Sequence, residues 1–171
     1  IRNCTTSDMK RDGSIWLIGK TKEEMGASLY YRSIGKDCPN VPKTDFDSFI
    51  PRMEQLIQAI EQGEVVACHD ISTGGIAVAV IEMCMSGVGA NIGLGEDMRA
   101  DVEIFSESNG RWIVQVANGK EKGFARRFDY ATRIGKVGKN IAFSKDNDVI
   151  AEFEIDELRS AWTRPVWDRL A

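Results

Sequence analysis

The stretch "VVACHDISTGGIAVAV", from Val65 to Val80, decides the fold. Its β-forming start predicts a short buried strand over Val65 to Cys68, and the apolar run Ile76 to Met85 predicts a helix covered by protein. Between the two lie the only histidine of the chain, an aspartate, two hydroxyl side chains and a Gly-Gly pair. A strand-to-helix turn leaves backbone N–H groups available to hold anions. The stretch therefore predicts a β–α unit with a candidate binding site at its turn.

The composition is typical of one globular domain. A chain of 171 residues is long enough for one core and too short for two ordinary domains. A net charge of -4 argues against nucleic acid as the main partner, and the longest apolar run is too short to span a membrane. Four cysteines without Cys-x-x-Cys spacing indicate a reduced, cytoplasmic protein. Because the chain begins at Ile1 without an initiator methionine, we expect residues 1–171 to be a single domain from a longer multidomain chain.

The flanking sequence predicts further strands and helices. The clearest helix follows a cap at Thr44 or Asp45, carries an apolar stripe from Phe46 to Ile60, and ends at Gly63. Shorter helices are predicted over Met98 to Phe105 and Glu121 to Phe128, and a last helix is capped by Asp156 and bent or broken at Pro165. The predicted strands are Ser14 to Ile18, Asn91 to Leu94, Arg111 to Ala117, Arg133 to Val137, Asn140 to Phe143 and Val149 to Phe153. Strands and helices alternate without a strict repeat, which favours a mixed sheet covered by helices.

His69 and Asp70 have two interpretations. Because a strand turns successive side chains to opposite faces, Cys68 and His69 cannot form a nucleophile–base pair. No second histidine is present to complete a metal site, but Asp70 could orient His69 or bind Mg²⁺ through oxygen. The alternative is that both side chains hydrogen-bond backbone groups at the strand end and do no chemistry.

Three short polar clusters could hold an anion. In Ser72 to Gly75, the glycines allow close approach of a ligand, and the following helix adds unpaired N–H groups that suit a phosphate or another chain's carboxylate. The alternative is a tight turn with positive φ, in which Ser72 or Thr73 is an ordinary N-cap. The stretch is neither a Walker loop nor a nucleophile elbow.

The second cluster is "FSESNGRW", Phe105 to Trp112, which contains Glu107, Ser108 and Arg111. Such a loop could bind ligand hydroxyls or a phosphate, or it could lead into the strand with a surface ion pair of little energetic value. The third cluster is "MGASLY", in which Gly26 and Ser28 could form another anion-facing turn.

Taken in order, these clusters resemble one known family. The segments are "SDMKRDGSIWLIG", "EEMGASLYYRSIG", "VVACHDISTGGIAVAVIEM", "IFSESNGRWIVQV" and "ATRIGKVG". From about Thr6 to Ala171 the chain is similar to the synthetase (large) subunit of phosphoribosylformylglycinamidine synthase, and more narrowly to the C-terminal domain of its second half. The resemblance implies an α+β fold, a three-layer α/β/α sandwich with a mixed sheet, like the C-terminal domain of aminoimidazole ribonucleotide synthase.

The resemblance also implies an activity and partners. The family's ligase uses ATP and Mg²⁺ to activate the formamide oxygen of formylglycinamide ribonucleotide, and ammonia then displaces the phosphate to give the amidine. The implied partners are the N-terminal ATP-binding-type domains of the same chain, a glutaminase subunit or domain that supplies ammonia, and a small accessory subunit. The family's catalytic histidine lies in the domains that precede Ile1. The chain therefore has no catalytic residue of its own, and the isolated fragment is expected to be inactive.

The resemblance assigns site residues by position. Asp70 stands where the family's first-half copy helps to hold Mg²⁺, and the loop from Glu107 to Asn109 stands where that copy touches substrate. The residues expected to face a ligand or its phosphate are His69, Ser72, Gly74, Gly75, Gly26, Ser28, Glu107, Ser108 and Arg111. Ala27, Leu29 and Thr73 replace the family's usual Gly, Glu and Asp, and Asn109 replaces Gln. The resemblance implies that this copy faces the enzyme's pseudo-symmetric, non-catalytic nucleotide site, and the departures argue against a fully retained catalytic site.

Two other functions remain open. The domain could be a scaffold or interaction module without a ligand, in which the helix Ile76 to Met85 and the side chains of Trp112, Trp162 and Trp167 form core or interface. The parent enzyme could also be a sibling of the same superfamily, chiefly aminoimidazole ribonucleotide synthase.

Overall fold

The computed structural model describes residues 4–95 and 97–170, and at positions 166, 167, 169 and 170 it describes the backbone alone. The predicted role of the Trp167 side chain thus lies outside the described residues. The elements, in chain order, are β1 (Ser14–Ile18), α1 (Leu29–Ser33), α2 (Phe46–Glu61), β2 (Val65–Asp70), α3 (Gly75–Cys84), β3 (Gly89–Gly93), α4 (Ala100–Phe105), β4 (Trp112–Val116), α5 (Glu121–Arg127), β5 (Ala131–Gly138), β6 (Ile141–Lys145), β7 (Asp148–Phe153) and α6 (Ile155–Leu170).

The strands form one mixed sheet in the order β2-β4-β1-β5-β3-β6-β7. β3 and β6 run parallel, while the other neighbouring strands of the described sheet are antiparallel. The sequence-based prediction of a mixed rather than an all-parallel sheet is therefore confirmed.

Helices cover both faces of the sheet, because strand side chains alternate between two cores. Ile15 and Leu17 of β1 pack into a cluster with the apolar residues of α3 and Ile104 of α4. Trp16 and Ile18, the alternate residues, pack on the opposite face with side chains from α2 and α5, including Leu56, Ala59, Phe124 and Phe128. The predicted three-layer α/β/α sandwich is confirmed, and both cores are built from residues of this chain.

Most predicted elements are present, several with bounds shifted by one or two residues, and the differences at α1, β2 and α6 are the most informative. The short helix α1 lies where the sequence predicted only a turn. β2 continues two residues beyond Cys68, so His69 and Asp70 still belong to the strand. α6 runs through Pro165 without a break, and Asp156 lies in its first turn instead of capping it. No helix among the described residues has the length and apolarity needed to cross a membrane.

Helix α2 buries only part of its predicted apolar stripe. Asp45 caps the helix, as predicted, by accepting the N–H of Asp47 at 3.2 Å. Leu56 and Ala59 are buried against the sheet. Four other large apolar residues of the stripe are exposed to solvent, namely Phe46, Ile50, Met53 and Ile57. An apolar row at these spacings lies along one side of a helix, so α2 presents an uncovered apolar face.

Candidate functional site

Three chain segments meet at one end of the sheet. In the antiparallel register, Trp112 at the start of β4 lies between Asp70 at the end of β2 and Ile18 at the end of β1. The loops that follow β1 and β2 and the loop that precedes β4 therefore lie side by side. This arrangement brings together the three polar clusters that the sequence singled out.

His69 is held by groups of its own domain. Its Nδ1 lies 2.7 Å from the carbonyl oxygen of Asp70, and its Nε2 lies 3.1 Å from a carboxylate oxygen of Glu82 on α3. The ring is only 20% exposed. Both nitrogens thus face acceptors within the chain, which agrees with the structural interpretation of this histidine. Glu82 was missed as its partner, although a single acidic residue within an apolar helix was a usable signal.

Asp70 remains open to solvent. Its side chain is 68% exposed, and it lines two cavities of about 420 and 390 Å³. The first also contains His69 and Trp112, and the second contains Phe46 and Ser72. A carboxylate is a suitable Mg²⁺ ligand, and Mg²⁺ in enzymes is usually held by one or two carboxylates together with water and substrate phosphates. No group of three or more His, Cys, Asp or Glu residues in the described part of the chain could hold a metal. Among the described residues, Asp70 therefore offers one open carboxylate and no complete metal site.

The glycine pair forms a turn and does not offer free N–H groups. Gly74 and Gly75 have φ values of 83° and 67°, in the left-handed region that favours glycine. The Gly74 N–H donates to Oε1 of Glu107 at 2.9 Å, and the Gly75 N–H donates to the carbonyl of Ser72 at 3.1 Å. The expectation that these two N–H groups face a phosphate is corrected, because both are used within the chain. Ser72 itself is exposed, and the N-cap position is taken by Gly74 rather than by Ser72 or Thr73.

The Glu107 carboxylate binds the backbone N–H groups that were expected to bind the anion of a ligand. Its Oε1 accepts the N–H of Gly74, before α3, and also the N–H of Leu29, at the start of α1, at 2.8 Å. One carboxylate therefore binds backbone donors at the start of two helices, where negative charge is stabilising. The sequence missed this because Glu107 lies 33 residues after Gly74.

The "MGASLY" turn is also closed internally. The Gly26 N–H donates to the carbonyl of Asn40 at 2.8 Å. Ser28 is fully buried and caps α1 by accepting the N–H of Tyr31. The expectation that Gly26 and Ser28 face an anion is corrected, since their polar groups stabilise this loop instead.

Arg111 and Ser108 are buried and hold the loops together. Arg111 is 1% exposed and donates from Nε to the carbonyl of Ser108, from one terminal nitrogen to the carbonyl of Ser106, and from the other to Oγ1 of Thr21. The hydroxyl of Ser108 accepts the N–H of Lys22 at 3.2 Å. Instead of facing a ligand, Arg111 and Ser108 fix the position of the segment after β1.

Removing the Glu107 carboxylate should destabilise the domain. We expect Glu107→Ala to lower the free energy of unfolding by about 2 kcal/mol, because two backbone N–H groups lose a charged acceptor. Glu107→Gln keeps an oxygen at the same reach and should lose about half as much. Urea denaturation followed by circular dichroism measures both values. Equal stability of the alanine variant and the parent chain would show that the two hydrogen bonds of the Glu107 carboxylate do not stabilise the domain.

The thiol of Cys68 should be unreactive. Burial, with a smaller contribution from the charge of Asp70, raises its pKa to about 12. Since the thiolate is the reactive form, alkylation of Cys68 should be at least about 100-fold slower at pH 8 than that of the exposed Cys4. The rate should rise about tenfold per pH unit from pH 7 to 10. Mass spectrometry resolved by site measures these rates, and a plateau below pH 9 would contradict the burial argument.

The fold and this sheet end define the class of protein: an α/β/α domain whose polar loops meet at one end of a mixed sheet. The sequence pattern described as "AIR synthase related protein, C-terminal domain" matches residues 13–144. The chain belongs to this family.

Individual relatives agree with this assignment. The chain is 36% identical, over 95% of its length, to phosphoribosylformylglycinamidine synthase subunit PurL of Methanothrix thermoacetophila. It spans only 22% of the length of that relative. Among solved structures, Thermotoga maritima PurL complexed with FGAR superposes with a TM-score of 0.73 at 19% identity, over 91% of this chain and 29% of the other. The same protein complexed with ATP gives a TM-score of 0.67 at 19% identity, over 91% and 27% of the two chains. At these identities the structural matches show the fold alone.

Proposed function

We propose that the chain is the C-terminal domain of the second half of a phosphoribosylformylglycinamidine synthase, an ATP-dependent ligase that forms an amidine from formylglycinamide ribonucleotide and ammonia. The observation that carries this proposal is the 36% identity to a PurL subunit over 95% of the chain. The domain is one wall of the cleft, and the N-terminal ATP-binding-type domains of the same polypeptide provide the other wall. A glutaminase subunit or domain supplies the ammonia, and a small accessory subunit completes the assembly.

Asp70 and Ser72 are the groups of this chain proposed to meet the ligand. Both are exposed and line the same cavity, whereas the other predicted residues are held by internal hydrogen bonds. Asp70 would contribute a carboxylate oxygen to Mg²⁺, and Mg²⁺ when bound neutralises phosphate charge. His69 stands beside Asp70 and keeps β2 joined to α3 through Glu82.

The activity is tested with the intact subunit that contains this chain. Given ATP, Mg²⁺, ammonia and formylglycinamide ribonucleotide, it should release ADP and phosphate and form the amidine, while the 171-residue chain alone should not. With an active glutaminase partner, glutamine should replace ammonia. The sibling aminoimidazole ribonucleotide synthase would give the opposite result. It would convert formylglycinamidine ribonucleotide to a cyclised product and would not convert formylglycinamide ribonucleotide.

A scaffold role is the second candidate, and the uncovered apolar face of α2 favours it. Phe46 is 69% exposed, and Ile50 and Ile57 are each nearly half exposed. Exposed apolar rows of this kind commonly mark interaction surfaces. A pure scaffold needs no ligand at Asp70, so the two functions differ in what a substitution at Asp70 does to nucleotide binding.

A further inference from the structure

One side of helix α2 carries an apolar row that no other part of the described chain covers. The row consists of Phe46, Ile50, Met53 and Ile57, which we call the α2 seam, and between 38% and 69% of each residue is exposed. The four residues span about 16 Å along the helix axis. Single exposed apolar residues are ordinary on a protein surface, but a contiguous row of them marks a contact surface.

The spacing of the α2 seam favours a helix as its partner. The steps between its residues are four, three and four, which is the repeat of a coiled-coil contact. At about 100° per residue, the four side chains lie within about 60° of one another around the helix axis. A helix that packs on the core of a globular domain shows a wider apolar stripe, whereas a row this narrow is typical of contact between two helices.

The α2 seam is distinct from the side of the helix that packs on its own domain. Leu56 and Ala59, the buried residues of α2, lie about 90° and 150° around the helix from the centre of the seam. Arg52, the only basic residue in the sequence of α2, also lies away from the seam, with its guanidinium carbon 5.0 Å from the centre of the Tyr130 ring. The positive charge of the helix is therefore held on its inner side.

Two carboxylates lie along the solvent side of the α2 seam. Asp47 and Glu54 are exposed and seven residues apart, so they lie on the same side of the helix, away from Leu56. Among the residues that the structure describes, neither carboxylate takes part in a salt bridge. The seam thus has buried packing along one edge and uncompensated negative charge along the other.

A second copy of this chain does not suit this charge pattern. In a symmetric dimer, each copy presents the same surface to the other. Two α2 helices packed antiparallel along the seam would place Asp47 and Glu54 beside the same carboxylates of the other copy, and like charges at a contact oppose association. The pattern instead suits a partner helix that carries basic residues beside its apolar row.

We propose that the α2 seam binds a basic amphipathic helix of a partner protein. Apolar side chains of that helix, at the same spacing, would pack between those of the seam, while its lysine or arginine side chains would reach Asp47 and Glu54. This proposal deepens the scaffold role, the second candidate function, by naming the kind of partner. It requires neither nucleotide nor Mg²⁺, so its test is separate from that of the ligand role of Asp70.

Two synthetic helical peptides of about 20 residues test the charge pattern. Both carry isoleucine and leucine at the spacing of the seam, and they differ only in having lysine or glutamate beside the apolar row. Fluorescence anisotropy measures their binding to the intact subunit that contains this chain, without nucleotide. The lysine peptide should bind saturably and at least about tenfold more tightly than the glutamate peptide, and about 1 M NaCl should reduce the difference because salt screens the charges.

Substitutions on α2 separate the apolar contribution from the charge. The double substitution Ile50→Ser and Ile57→Ser should weaken binding of the lysine peptide at least about tenfold. Val149→Ser, at an exposed apolar residue of β7, is the matched control and should leave binding unchanged. The double substitution Asp47→Asn and Glu54→Lys leaves the apolar row intact and should abolish or reverse the preference for the lysine peptide.

The proposal would be overturned if the lysine peptide did not bind saturably at about 1 mM, or if both peptides bound equally. Equal binding by the Ile50 and Ile57 double variant would also overturn it. Maleimide labelling of Ile57→Cys in the intact subunit, compared with Val149→Cys, tests the other occupants. Similar labelling rates support an open seam. Protection at every protein concentration would show that another domain of the subunit covers the seam, and protection only at high concentration would show a second copy. Either form of protection contradicts the proposal.

Discussion

Arg111→Met should lower the free energy of unfolding by about 3–5 kcal/mol, the largest loss expected for one side chain of this domain. The substitution leaves two buried carbonyls, those of Ser106 and Ser108, without donors and leaves Thr21 without its partner. Burial lowers the pKa of Arg111 to about 10, and the charge of Glu24 opposes this shift. The guanidinium therefore stays protonated at neutral pH and depends on these acceptors in place of water.

Arg126→Met is the matched control for Arg111→Met. Arg126 is exposed on α5 and makes one long hydrogen bond, of 3.3 Å, to the carbonyl of Lys122. Its loss should change stability by less than about 0.5 kcal/mol. Urea denaturation compares the two variants. A loss below about 1 kcal/mol for Arg111→Met would contradict its role as the residue that holds the loops.

Gly75→Ala should have the second largest effect, a loss of about 3 kcal/mol or more. A methyl group at this position would lie 2.5 Å from the carbonyl oxygen of Ile104 and 2.7 Å from that of Ser106. These atoms belong to backbone and cannot rotate away. The φ of 67° adds strain for any residue with a Cβ. The steric clash lies where the start of α3 meets the end of α4. Relief of the clash should therefore also shift the loop that carries Glu107.

Gly123→Ala is the control for Gly75→Ala. Gly123 lies within α5, and a methyl group there meets nothing within 4 Å. Because alanine favours a helix over glycine, this variant should be neutral or more stable by up to about 1 kcal/mol. Thermal unfolding of the two variants measures the contrast. If both alanine variants melt at the temperature of the parent chain, the close approach at Gly75 is not a constraint.

Residue patterns within short segments were sufficient to predict most strands and helices of the fold. The β-rich run from Ser14 to Ile18, closed by Gly19, predicts a strand, and the structure divides its side chains between two cores. The β–α unit in Val65 to Val80 was also predicted from local pattern. Helix α1 was missed because five residues with two tyrosines carry little helical signal, and its caps come from Ser28 and the distant Glu107.

The candidate site was only partly predictable, because its polar groups are matched across long sequence separations. The sequence shows that Gly74 and Gly75 make a turn with donors, but it does not show that a carboxylate 33 residues away already accepts one of them. The apolar stripe of α2 predicts an amphipathic helix, but it does not show that the sheet buries only Leu56 and Ala59 and leaves most of the stripe exposed. Pattern identifies which residues can act, and tertiary packing decides which of them are already engaged.

The central claim is that this domain faces a Mg²⁺-nucleotide through Asp70. Calorimetric titration of the intact subunit with ADP and Mg²⁺ tests it most directly, comparing Asp70→Asn with Asp148→Asn, a change at an exposed aspartate of β7. We expect at least tenfold weaker binding at one nucleotide site for Asp70→Asn, unchanged ADP binding without Mg²⁺, and no effect of Asp148→Asn. Identical Mg²⁺-dependent binding in both variants would contradict a ligand role for Asp70 and leave the domain as a scaffold.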